Sequence, residues 1–358
     1  MSYSPIDKPT DFFNTLTYTG NGVDDTAKTG LGFQPDWNWT KQRSGAEWHT
    51  LIDSVRGVTK YINSNDTNAE RTNSNFIESF DSNGFTLGSA NDTNQNSQTY
   101  ASWNWKAGTS FTNDASGTGI GSIDSAGSVN QDAGFSIISY TGNGNDDDTA
   151  KIAHGLGVAA NMIIVKCRNA AGGWQTSSTS LGFNNVLQLN ETNAQASGTY
   201  AFGRTGVAPT STVFTVSATS GGNHTNTNNN TYIAYCFAEK KGYSKFGSYT
   251  GNGNADGSFI YTGFKPAFVM SKCTSHAGED WNINDDKRPG YNVIQNALLP
   301  NSSAAEVTAS FQAIDTLSNG FKWRGTNDRV NASGKTYIYM AFAESPFVGS
   351  NFVPNNAR

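Results

Sequence analysis

The pentapeptide YTGNG occurs three times, at Tyr18–Gly22, Tyr140–Gly144 and Tyr249–Gly253. An internal repeat constrains a fold more than any single motif, because each copy must be one structural unit. A second landmark lines up behind it: TGLGFQPDWNWTKQR, HGLGVAANMIIVKCR and YTGFKPAFVMSKCT, which bring Lys41, Lys166 and Lys272 into register. A tryptophan follows in each copy, at Trp48, Trp174 and Trp281. NDTNAE, NETNAQ and NSSAAE come next, then a glycine-containing strand signal, and finally TYASWNWKA, TYIAYCFAE and TYIYMAFAE. The order never changes, so differences in spacing fit into loops.

Within each copy, short alternating apolar runs are separated by Gly, Asn and Ser turns, which is the pattern of a β-sandwich. Amphipathic helical stretches that would build parallel βα units are missing. The expected fold is all-β, with three tandem β-sandwich modules. Module 1 spans residues 1–110 with a short N-terminal arm, and a Gly/Ser-rich segment at 111–135 reads as a linker or as a strand exchanged between modules. Modules 2 and 3 span 136–244 and 245–348, joined so tightly that rigid packing is expected, and 349–358 form a tail. Period 2 is clearest in the closing strand, where Tyr100, Trp103 and Trp105 match Tyr232, Tyr235 and Phe237, and Tyr337, Met340 and Phe342. One buried face is expected there.

Comparison between copies separates filler from candidate sites. Trp37 and Trp39 correspond to Met162 and Ile164 and to Phe268 and Met270, so they read as core residues, as do Trp103 and Trp105. Trp48, Trp174 and Trp281 keep their type beside loops of changing length. An indole can stack on the apolar face of a sugar and donate its N–H to a hydroxyl, so these three are the candidate glycan-binding residues. The competing reading is that they plug the open end of each sandwich. YTGNG itself reads as the first turn of each module, because Asn-Gly pairs accept positive φ.

Other chemistry is weakly signalled. Asp53 with Arg56 and Asp285 with Arg288 form local charge pairs, worth little if exposed. No pair of carboxylates stands out as a catalytic acid and base. The aspartates of VDDT and NDDDTA match no calcium-loop spacing, and His49, His154, His224 and His276 are scattered, so no metal, cofactor or catalytic residue is expected. Cys167, Cys236 and Cys273 read as free buried thiols. A net charge of −5 without a basic cluster argues against nucleic-acid binding. The amino-terminal residues lack a secretory pattern, and no apolar run is long enough for a membrane span, so the chain is expected to stay in the compartment where it is made.

DSVRGVTKYINSNDTNAE, AGFSIISYTGNG, HGLGVAANMIIVKCR, the run from Tyr235 through FAEKKGYSKFGSYTGNG to Met270, LPNSSAAE and SNGFKWRGTNDRVNASGKTYIYMAFAESPF together resemble a repeat domain of unassigned activity. That domain is known from predicted tail-fibre-like proteins of marine bacteriophages. The similarity covers roughly residues 15–348. It implies a virion component with concanavalin-like jelly-roll sandwiches, synthesised in the host cytoplasm. Its implied partners are other virion proteins, further copies of itself as a homo-oligomer, with a trimer by analogy with fibres, and a host-surface glycan. No catalytic residues carry over. The short arm before module 1 departs from fibres with a long shaft. A capsid decoration protein is therefore the alternative, and a polysaccharide-degrading enzyme a more distant one.

Overall fold

The computed structural model describes residues 4–218 and 222–349. The expected all-β fold is found: helix among the described residues is confined to single turns such as Asn91–Asn94 and Ala115–Thr118. One antiparallel sheet recurs three times. In the first, the opening strand Phe13–Thr19 pairs with the closing strand Thr99–Trp105, followed by Trp37–Gln42 and Thr50–Asp53. The same order holds for Phe135–Thr141, Thr231–Phe237, Met162–Cys167 and Gln175–Ser178, and for Ser244–Thr250, Thr336–Pro346, Phe264–Cys273 and Asn282–Asp285. A smaller sheet covers one face each time: Thr26–Thr29 with Gly84–Leu87 and Ile77–Asp81, Lys151–Ala153 with Val213–Thr215, and Phe259–Tyr261 with Gly320–Trp323 and Ile314–Leu317.

YTGNG folds as the turn expected. The second glycine has φ of 68°, 79° and 66° in the three copies, which only glycine adopts without strain. A Cβ on the first glycine would lie 2.3 to 2.4 Å from a backbone oxygen. The tyrosines explain the rest of the motif, since Tyr18, Tyr140 and Tyr249 donate their hydroxyls to the carbonyls of Thr93, Thr225 and Val330. Each turn thereby docks onto the segment leading into the closing strand.

The closing strands bury both faces, where one was expected. Alternation sends Tyr232, Ala234 and Cys236 into the module's own sandwich, while Ile233, Tyr235 and Phe237 point away from it. The outward residues of all three modules meet in one shared core, which unites Trp37, Trp39, Trp103 and Trp105 with Phe135, Met162 and Phe237, and with Phe268, Met270 and Phe342. Aromatic contacts cross between modules: Trp37 stacks on Tyr235 at 4.3 Å, Trp105 meets Phe268 edge-on at 5.8 Å, and Phe237 meets Phe342 at 6.0 Å. The second face of each sheet is covered by its two neighbours, and the three modules close into a pseudo-threefold ring.

Residues 111–135 are not a free linker. Thr109–Asn113 and Ser125–Asn130 add two antiparallel strands to the edge of the second module's large sheet. Gly and Ser suit this position because the strands approach closely: a Cβ on Gly127 would lie 1.8 Å from the Ile137 carbonyl oxygen. Of the tail expected at 349–358, residues 350–358 lie outside the described residues.

Because the shared core holds all three modules, truncation in one should weaken the whole. Trp105→Ala, which removes a ring 1% exposed, is expected to cost about 3 to 5 kcal/mol, measured as a lower urea midpoint for the entire chain.

Candidate functional site

The three predicted tryptophans part company in the structure. Trp174 and Trp281 each precede the fourth strand of their sheet and are fully buried. Their indole N–H groups are engaged across module boundaries, Trp174 with the Asn63 carbonyl at 2.8 Å and Trp281 with the Gln188 carbonyl at 3.0 Å. Neither can offer a face to a sugar in this structure. Register shows that their counterpart in module 1 is His49, which precedes Thr50–Asp53, and not Trp48. His49 accepts from Trp39 Nε1 at Nδ1 (2.8 Å), and its Nε2 meets the Leu299 carbonyl of module 3 at 2.9 Å. Burial keeps this imidazole neutral by driving its pKa well below the ordinary value. Asn63, Gln188 and Leu299 occupy matching positions after the next strand, so the three bonds form a closed cycle around the ring.

The lysine landmark and the NDTNAE-type motif belong to the same seams. Lys166 Nζ donates to the Thr67 carbonyl of module 1, and Lys272 Nζ to the Thr192 carbonyl of module 2. Backbone bonds repeat the cycle, from Glu70 to Arg168, from Gln195 to Thr274 and from Glu306 to Arg43. Asp53 and Arg56, expected as a local charge pair, have fully buried side chains 2.5 Å apart. Asp53 also accepts from Tyr235 of module 2 at 2.7 Å, and Glu70 bridges Arg56 to Arg168 of module 2. Burial opposes the Arg56 charge, but Asp53, with Tyr235 and Glu70, outweighs it and holds the guanidinium above its ordinary pKa. Asp285, Arg288, Glu306, Arg43 and Trp103 build the same arrangement between modules 3 and 1.

Trp48 remains open, with 37% of its surface exposed. Arg71 lies 5.2 Å from the ring centroids of both Trp48 and Tyr61, and it pairs with Asp66 at 2.7 Å. The result is a pair of aromatic rings with a guanidinium over a face of each, itself paired to a carboxylate.

A second surface was not legible as a motif. Residues 286–294 border a cavity of about 460 Å³, lined among others by Lys265, Asp286, Lys287, Tyr291, Asn292 and Glu344. Tyr291 is 78% exposed at its rim. Asp286 has a side chain only 10% exposed, and its Oδ1 has no hydrogen-bond partner among the described residues. Burial raises its carboxyl pKa to about 6; Lys287 opposes that rise, while Glu344 and Asp285 add to it. Ser54 and Thr179 stand at the matching positions, so the buried carboxylate is peculiar to module 3. A concave surface with an open ring and an unsatisfied acceptor can bind a polyhydroxylated ligand through stacking and a hydroxyl donor.

A family model described as Domain of unknown function (DUF7483) matches residues 8–346. The chain belongs to the DUF7483 family. No curated protein and no solved structure matches it. The DUF7483 match runs from the first 3-10 turn to the end of the last closing strand and so spans all three recurring sheets.

The three buried lysines carry a pH signature, Lys166 and Lys272 at the seams and Lys41 bonded to the Gln42 and Gly45 carbonyls of its own module. Burial pulls Lys41, Lys166 and Lys272 down to about 8. Below that pH the lysines are charged in both the folded and unfolded chain, and the fold bears the cost of desolvation. Between pH 8 and the unfolded value near 10.4 the unfolded chain holds more protons, so stability rises with pH. The urea midpoint should therefore increase from pH 8 to pH 9.5, and Lys166→Met should flatten the rise. Separately, Arg288→Ala should cost about 3 to 5 kcal/mol by stranding Asp285 and Glu306, read from the same denaturation curves.

Proposed function

We propose that this protein is a structural attachment component of a bacteriophage virion, a tail-fibre or receptor-binding element that recognises a glycan on the host surface. The observation that carries this reading is the module 3 cavity, whose lining includes the exposed ring of Tyr291 and the buried carboxyl of Asp286. Sugar recognition draws on such a lining, because an aromatic face covers the C–H surface while polar groups of the cavity wall orient the hydroxyls. Trp48, partly exposed and with the Asp66-paired Arg71 over one face of its ring, is a second candidate surface on module 1.

Capsid decoration is the second reading, and the closed ring of three similar modules favours it. A body with pseudo-threefold symmetry can lie on a threefold position of a coat lattice and present three related surfaces to three equivalent neighbours. Self-association, in either reading, joins whole three-module bodies, since the face that a trimer of single modules would share is already filled within one chain.

Binding to polysaccharide fractions of the host envelope, followed by biolayer interferometry, tests the attachment reading. Tyr291→Ala and Asp286→Ala are expected to weaken binding at least about tenfold, with an unchanged melting temperature, in line with the 1 to 3 kcal/mol of a lost polar contact. Trp174→Ala should instead lower the melting temperature. Wild-type binding by both cavity variants and by Trp48→Ala would refute the reading. Antibody labelling over the capsid faces, with none at the tail, would select decoration.

A further inference from the structure

We propose that module 3 holds a divalent transition-metal site, of the Zn²⁺ class, formed by His276, Glu279 and Asp328. One ligand atom from each of the three side chains lies within 4.8 Å of the others. His276 Nδ1 and Glu279 Oε1 are 3.6 Å apart, too far for a hydrogen bond. Two atoms each about 2.0 Å from a tetrahedral ion stand about 3.3 Å apart, so the gap is the size that an ion bridges. One imidazole nitrogen and two carboxylate oxygens form a borderline donor set that suits Zn²⁺ better than Ca²⁺ or Mg²⁺. With three protein ligands at a partly exposed position, a coordination place stays open to water.

The fold itself forces these groups together. Asp280 and Arg329, each one residue further along, form an ion pair of 2.6 Å. That pair fixes the hairpin 274–281 against the segment 326–332, in a register that sets Glu279 opposite Asp328. Both carboxylates and the imidazole thus offer a ligand atom to one small volume. The arrangement is found in only one repeat. Gly45, Glu47 and Asn91 occupy the matching places in module 1, and Ala170, Gly172 and Asn223 those in module 2.

The position also matters for the ring. The seams between modules 1 and 2 and between modules 3 and 1 each carry a set of four charges, Asp53, Arg56, Glu70 and Arg168 in one, Asp285, Arg288, Glu306 and Arg43 in the other. At the seam between modules 2 and 3 the equivalent places hold Ser178, Leu181, Gln195 and Thr274. The hairpin bearing His276 and Glu279 grips that seam, with the Gly278 N–H donating to the Thr192 carbonyl at 2.9 Å and the Thr274 carbonyl accepting from Gln195. A metal ion tying this hairpin to Asp328 would stiffen the one seam that lacks the charge set.

The untagged full chain, stripped with EDTA, is titrated with ZnCl₂ by isothermal calorimetry, and its melting temperature is followed across the same concentrations. One Zn²⁺ per chain is expected, with a melting temperature that rises with Zn²⁺ by mass action. His276→Ala, Glu279→Gln and Asp328→Asn should each weaken binding at least about tenfold and lose the thermal shift, while melting like the wild type in EDTA. Absence of Zn²⁺ binding to the wild type would overturn the proposal. So would binding that His276→Ala and Asp328→Asn leave unchanged.

Discussion

The structure depends on burying the second face of three sheets. A sandwich normally leaves the outer face of each sheet to water, so its strands alternate apolar and polar residues. Here the closing strands are buried on both faces: TYIAYCF is apolar at nearly every step, and TYASWNW hides Ser102 and Asn104 in hydrogen bonds with Asn38. One face is covered by the module's own small sheet. The other must be covered by something of equal area, and two further copies of the same face meet that need with the least departure from symmetry. The shared aromatic core is the result, and no module is a complete hydrophobic unit without the other two.

Closure of the ring has a polar counterpart. The cycle from Trp174 to Asn63, from Trp281 to Gln188 and from His49 to Leu299 gives buried N–H groups an acceptor in the neighbouring module. Residue identities at the seams vary together. Where Asp53 and Asp285 are buried, the facing closing strand supplies Tyr235 or Trp103 as donor. Where Ser178 replaces the aspartate, the third closing strand carries Met340 at the same position. At these seams the buried aspartate is found only where the facing closing strand supplies a donor, as desolvation demands.

Much of this was legible in the chain. Period 2, invariant landmark order and the Asn-Gly turns foretold the strands and module starts, because these are local properties. The seams were not legible, since they join residues far apart in the chain, from 80 positions for Lys272 and Thr192 to 263 for Arg43 and Glu306. Trp48 was matched to Trp174 and Trp281 by residue type, whereas register assigns that place to His49, one residue later. The NDTNAE motif marked each module without showing that its backbone grips the next one. Residues 111–135 looked like a linker because composition reports flexibility and not pairing, and edge strands need few large side chains. At the candidate site, Asp286 could be found only by asking which acid lacks counterparts in the other copies.

Interdependence of the modules is the central claim, and differential scanning calorimetry of the full chain tests it most directly. A shared core requires the three modules to melt together, in one transition whose calorimetric and van't Hoff enthalpies agree. Three separable transitions, or a van't Hoff enthalpy near one third of the calorimetric value for the whole chain, would show modules that fold alone and would contradict a common core.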